Sequence, residues 1–224
     1  IIHRLLHAAA VVALGRQHLF HLMRASKGRT RLKDGVKVLG AGALAELRWW
    51  ADMLGGDVCV HGLPLAYRRA FPSSRDASVL MPYSDASREM GALESSGFGA
   101  WAVVNDVFMY VEGRWTEAEV EKLDINTLEL AAMNIGTFTL LAEARRQGLR
   151  ITHVLEFTDN TSAEHSVERG KPKSERLGEL VRERYEAMKE LSVIASATRA
   201  PSADNDIAAG LSRGGEKLTA ALLR

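Results

Sequence analysis

Hydrophobic and polar positions change rhythm near residue 79, and that change divides the chain. Before it, Leu5, Leu6, Val12, Leu19, Leu22 and Met23 predict a helix over 3–24, interrupted at Gly15 into a bend or two short helices. The basic stretch "SKGRTRLKDG" (26–35) reads as a turn or hairpin connection. Leu44, Leu47, Trp50 and Leu54 recur at helical spacing over 41–54. "GGDVCVHGLPLAYRR" (55–69) reads as strand-turn-strand, and "FPSSRDAS" (71–78) as a linker. Past residue 79, "VLMPYSDAS" is a strand that Pro82 fits badly. "GFGAWAVV" and "VFMYVEG" are joined at hairpin spacing by Asn105-Asp106. A long helix through "INTLELAAMNIGTFTLLAEARRQG" closes at Gly148, and "ITHVLEF" is a buried-type strand. Helical segments at 160–169 and 175–190, the strand "SVIASAT" and a last helix complete the chain. The order predicts an α/β domain with a five-stranded mixed sheet: a hairpin-connected trio, then two strands reached by helical crossovers. A small, mainly helical basic segment (1–75) precedes that domain (76–224).

Composition narrows the class. Of 224 residues, 46% are hydrophobic and 25% charged, as in ordinary globular proteins. No run of about 18 apolar residues is present, so neither a membrane span nor a membrane partner is expected. The one cysteine, Cys59, excludes an internal disulfide and a cysteine-based zinc cage, and points to a reducing, intracellular, non-secreted setting. Starting at Ile1, the chain is expected to be a segment or processed form of something longer; the acid-free basic stretch 1–33 is expected to belong to the fold. The net charge of +1 hides a split, because residues 1–75 carry 12 Lys/Arg against 4 Asp/Glu, a net +8. The rest is correspondingly acidic. A basic arm beside concentrated carboxylates suits a nuclease as well as two ordinary domains of different pI.

Three acids are candidates for chemistry. Asp85 punctuates the first strand and reads equally as a turn residue. Glu129 lies three positions after Asn126, which also fits a capping box. Asp159 ends the fourth strand, where Asp159-Asn160 also fits a helix cap. In a sheet of this order the first and fourth strands are neighbours, so all three carboxylates can converge. Their mutual repulsion is relieved by hard divalent cations such as Mg²⁺. His3/His7 and His18/His21 have helical ligand spacing, but nothing nearby completes a zinc site.

"YSDAS…GFGAW", "INTLELAA", "FTDNTSA" and "NDIAAGLSRG" resemble the successive motifs of ribonuclease H domains. The likeness is greatest to those of retroelement reverse transcriptases, particularly tyrosine-recombinase (DIRS-like) retrotransposons. "LLHAAAVVALGRQHLFHLMRA" and "LAELRWWADML" are similar to the thumb and connecting segment that precede such a domain. The resemblance implies a ribonuclease H-like fold, RNA/DNA hybrid as partner, two Mg²⁺ ions as cofactor, and Asp85, Glu129 and Asp159 as metal ligands. The family's fourth acid comes four residues after the Asn of an N-x-x-A-D pattern; from Asn205 that place falls on Ala209. Arg199 stands where many relatives carry a histidine, six residues before that Asn. Arg16, Arg24, Lys27, Arg29, Arg31, Lys33, Arg169, Lys171 and Lys173 are candidate phosphate contacts, with Arg199 and Asn205 beside the site.

Two readings follow. One is a retroelement-type ribonuclease H unit impaired by Ala209. The other is a domesticated, catalytically silent RNA-binding or scaffolding subunit of a ribonucleoprotein, with other proteins as partners. A transposase or integrase of the same fold is disfavoured, because those carry their glutamate on a late helix rather than the first.

Overall fold

The computed structural model describes residues 2–9, 15–27, 32–33, 36–55, 79–170 and 172–214. The chain divides into two compact units, 1–70 and 71–224, a boundary a few residues before the expected one. The expected linker 71–78, nearly all of the expected strand-turn-strand over 55–69, and Arg29, Arg31 and Lys171 lie outside the described residues.

In the first unit, α1 (Ile2–Ala8) and α2 (Phe20–Lys27) are separate helices, and the described residues between them include a turn at Gly15 and a 3-10 turn at Gln17–Leu19. The expected break at Gly15 has a packing reason. A Cβ there would fall 2.8 Å from the Trp50 ring. β1 (Leu32–Lys33) and β2 (Val36–Lys37) form a minimal antiparallel hairpin, and α3 (Ala41–Gly55) follows. Leu5, Leu19, Leu22, Ala43 and Trp50 make the core of this unit. Glu46, buried on α3, accepts hydrogen bonds from the His21 and Leu22 amides at 3.0 and 2.9 Å and so fixes the start of α2.

The second unit is built on a six-stranded mixed sheet flanked by helices. Pro82 splits the expected first strand into β3 (Val79–Leu80) and β4 (Tyr83–Ala86), because proline has no amide to donate to a ladder. Both pieces run parallel to β7 (His153–Thr158), which accounts for the sixth strand. β5 (Gly97–Val104) and β6 (Val107–Arg114) continue antiparallel through a two-residue turn, Asn105 and Asp106, with φ of 50° and 62°. α4 (Glu117–Lys122), a helix the hydrophobic pattern did not signal, starts at a Thr116/Glu119 capping box. α5 (Ile125–Arg146), α6 (Thr161–Arg169) and α7 (Glu175–Glu190) follow, and β8 (Ile194–Arg199) pairs parallel with β7 on its far side. This is the mixed sheet with helical crossovers expected of a ribonuclease H-like fold.

The main core lies between α5 and the sheet, around Leu80, Ala100, Ala102, Leu140, Leu141 and Val154. Under it, a buried Glu156 on β7 receives hydrogen bonds from Thr137 of α5 and Arg184 of α7, while Arg184 also donates to Asn134 at 3.2 Å. On the opposite sheet face, Phe157, Tyr83 and Trp101 stack across three adjacent strands, with Phe108 continuing the row. α8 (Asp206–Arg213), the last helix among the described residues, packs on this face over Gly97 and Gly99, where any side chain would collide with it.

Candidate active site

Each of the three acids arrives from a different element. Asp85 lies within β4, opposite Gly99 of β5. Glu129 is in the second turn of α5, and Asp159 directly follows β7. Parallel pairing of β4 with β7, with Tyr83 opposite Phe157, sets Asp85 and Asp159 at the same end of adjacent strands. One carboxylate oxygen from each of Asp85, Glu129 and Asp159 lies within 4.8 Å of the other two. Among the described residues this is the one group of three or more His, Cys, Asp or Glu side chains so arranged.

The local alternatives for these acids are resolved by their neighbours. Asp124, rather than Asn126, caps α5: its carboxylate accepts from the Asn126 and Thr127 amides at 3.0 and 3.1 Å. Glu129 is therefore no member of a capping box. Its Oε2 accepts from the Ala86 amide at 3.2 Å, beside Asp85. Asn160, rather than Asp159, caps α6, accepting from the Ser162 and Ala163 amides. Asp159 accepts from the Ser202 hydroxyl at 2.8 Å.

Asp85 and Glu129 are 4% and 6% exposed. Burial pushes the Asp85 carboxyl up to about 6; the Ser212 hydroxyl and the nearby Arg213 oppose that rise, and Asp159 adds to it. Burial raises Glu129 well above the ordinary carboxylate range, and the charges of Asp85 and Asp159 raise it further. Three converging hard oxygen donors, of which Asp85 and Glu129 disfavour their own ionisation until a cation arrives, are a fitting donor set for a divalent metal.

α8 closes the site. Asn205 donates from Nδ2 to the Ser84 carbonyl at 2.9 Å and is 1% exposed, so it staples α8 to β4 from inside the protein and is not a surface contact. Ala209 follows on α8, with no carboxylate to add. Three residues later, Ser212 gives its hydroxyl to Asp85 Oδ2, a partner the sequence reading missed, since a serine in a helix carries no local mark of such a bond. Arg199 is exposed at the end of β8. Of the basic candidates, Arg24, Lys27, Arg169 and Lys173 are exposed and Arg16 is half-buried; Lys173 donates to Ser162 Oγ at 3.0 Å. Lys33 lies in β1.

No protein-family model matches the chain, and no curated protein sequence matches it. Solved structures do. RNase H1 from the halophilic archaeon Halobacterium salinarum NRC-1 is 17% identical with a TM-score of 0.45, over 59% of this chain and 93% of that one. LC11-RNase H1, from compost and solved in complex with RNA/DNA hybrid, is 17% identical with a TM-score of 0.47, over 59% and 92%. The foamy viral protease-reverse transcriptase in complex with RNA/DNA hybrid is 14% identical with a TM-score of 0.40, over 78% of this chain and 26% of that one.

Proposed function

We propose that residues 76–224 form the ribonuclease H-like domain of a retroelement-type reverse transcriptase, of the DIRS-like kind, with residues 1–75 as its thumb- or connection-like lead-in. The domain binds RNA/DNA hybrid, and its intact form cuts the RNA strand. The observation that carries this reading is the meeting of Asp85, Glu129 and Asp159 from three separate elements within 4.8 Å.

Asp85, Glu129 and Asp159 would hold the metal. A pair of Mg²⁺ ions, when bound, supplies an activated water and charge stabilisation at the leaving oxygen. The chain's own part is to hold three carboxylates on rigid elements, two of them shielded from water, and to place hybrid phosphates beside them through basic side chains. A methyl group at position 209 cannot ligate, so as written the site holds its cations weakly and turns over poorly. Ala209 and Arg199 together favour the second reading, a domesticated, catalytically silent RNA-binding or scaffolding subunit of a ribonucleoprotein.

A labelled RNA/DNA hybrid, assayed with Mg²⁺ beside plain RNA and DNA duplexes, tests this. The unmodified chain should bind hybrid and cleave it slowly or not at all, and Ala209→Asp should restore RNA-strand cleavage. An Ala209→Asp variant that binds hybrid and stays inert favours the silent subunit. Strong cleavage by the unmodified chain refutes the role given to position 209.

A further inference from the structure

α8 is docked by an unusual concentration of polar contacts to β4 and its neighbours. The Ser87 hydroxyl lies between two carbonyl acceptors, Ser212 at 2.6 Å and Ser95 at 2.7 Å, and its one proton serves either of them. Arg114 Nη1 donates to the same Ser212 carbonyl at 3.1 Å. Asn205 holds the other end of the helix to Ser84, immediately before Asp85. Ser212 itself is fully buried, and its hydroxyl bonds Asp85. The helix reaches this depth only because β5 lacks side chains beneath it. A Cβ on Gly99 would lie 2.7 Å from the Ala208 carbonyl and 2.8 Å from the Ser212 amide.

Ser212 therefore belongs to two networks at once. Its backbone carbonyl reports that α8 is seated, and its hydroxyl fixes one oxygen of a carboxylate in the acidic cluster. A seated α8 orients Asp85, and an unseated one releases it. We propose that Ser212 is a positioning residue through which docking of α8 sets the affinity of the Asp85–Glu129–Asp159 cluster for a divalent cation. This rests on the metal-site reading above. The coupling is reciprocal, as any equilibrium linkage must be, so a bound cation holds α8 in place. Hydrogen-bond partners standing behind a metal ligand are worth about 10–100-fold in affinity, which sets the scale.

The test is a titration of the full chain with Mn²⁺ alone, followed calorimetrically, with amide hydrogen exchange of α8 read in parallel. Ser212→Ala should weaken Mn²⁺ binding at least about tenfold while urea unfolding shows a folded protein. Gly99→Ala alters no polar group and no acid; by lifting α8 it should weaken Mn²⁺ binding in the same way, and it carries the test if Ser212→Ala fails to fold. Mn²⁺ should slow exchange at the amides of residues 208–212 in the unmodified chain and do so far less in either variant. Folded variants that bind Mn²⁺ as the unmodified chain does would overturn the proposal and leave the metal reading standing. An unmodified chain that does not bind millimolar Mn²⁺ would defeat the metal reading, and this coupling with it.

Discussion

Replacing Asp85 by Asn should make the metal-free protein more stable at pH 8, although it removes a hydrogen-bonded acid from the centre of the sheet. The folded-state carboxyl of Asp85 is pushed up to about 6 by burial, against an ordinary value of 3.8. A raised acid holds its proton longer folded than unfolded, so it favours the folded state less and less as pH climbs from 3.8 towards 6. At about 1.4 kcal/mol per pH unit of difference, the penalty is of order 3 kcal/mol and fully present above pH 7. Roughly half of it is gone at pH 5. Glu129 is raised by the same burial and by the Asp85 charge itself, so Asp85→Asn relieves part of its penalty too. Urea unfolding in EDTA at pH 5 and pH 8 reads this directly. The unmodified chain should lose stability between the two, and Asp85→Asn should lose distinctly less. Mg²⁺ should restore stability to the unmodified chain at pH 8 and do little for the variant. An unmodified chain whose metal-free stability is flat or rises from pH 5 to 8 would refute the reasoning. So would an Asp85→Asn variant with an unaltered pH dependence.

Arg184→Leu strands the Glu156 carboxylate, which is 0% exposed. Urea unfolding at neutral pH should show a loss of about 3–5 kcal/mol. That loss should shrink at acid pH, where Glu156, already raised by burial, takes up a proton; a cost below about 1 kcal/mol would mean that Arg184 does not compensate the buried carboxylate. Gly136→Ala drives a methyl group against Ala100 where α5 crosses β5, and should cost about 1–3 kcal/mol in the same assay; an unchanged midpoint would show that the two elements can separate freely. Neutralising Arg24, Arg29 and Arg31 should flatten the salt dependence of hybrid binding, by up to about 0.9 in log–log slope for each lost duplex phosphate contact. An unchanged slope would place the arm against protein or solvent.

Element type was legible wherever a local rule decides it. Asn105-Asp106 between two alternating runs specifies a hairpin because both residues tolerate positive φ. Pro82 breaks a strand because it has no amide proton, and the split into β3 and β4 follows from that alone. α4 was legible too, in Thr116 and Glu119 three residues apart, but its single buried apolar residue, Val120, leaves no periodicity to notice. The choice between Asp124 and Asn126 as the cap of α5 was not, since both are good caps and only the geometry of the entering chain selects one.

The candidate site divides in the same way. The identity of its three acids is written in the chain order of motifs, and so is the alanine at position 209. Their mutual distance is not, because it depends on β4 and β7 being neighbours although the facing Tyr83 and Phe157 stand 74 positions apart in the chain. The raised pKa of Asp85 depends on burial, which no local pattern encodes. Ser212 and Asn205 acquire their partners only when α8 settles over Gly97 and Gly99, a fit decided by missing side chains on one element and hydrogen-bonding groups on another. Local propensity and spacing determined which elements form and which acids are available; packing of elements distant in sequence decided which charges share a desolvated pocket, and electrostatics there follows from that proximity.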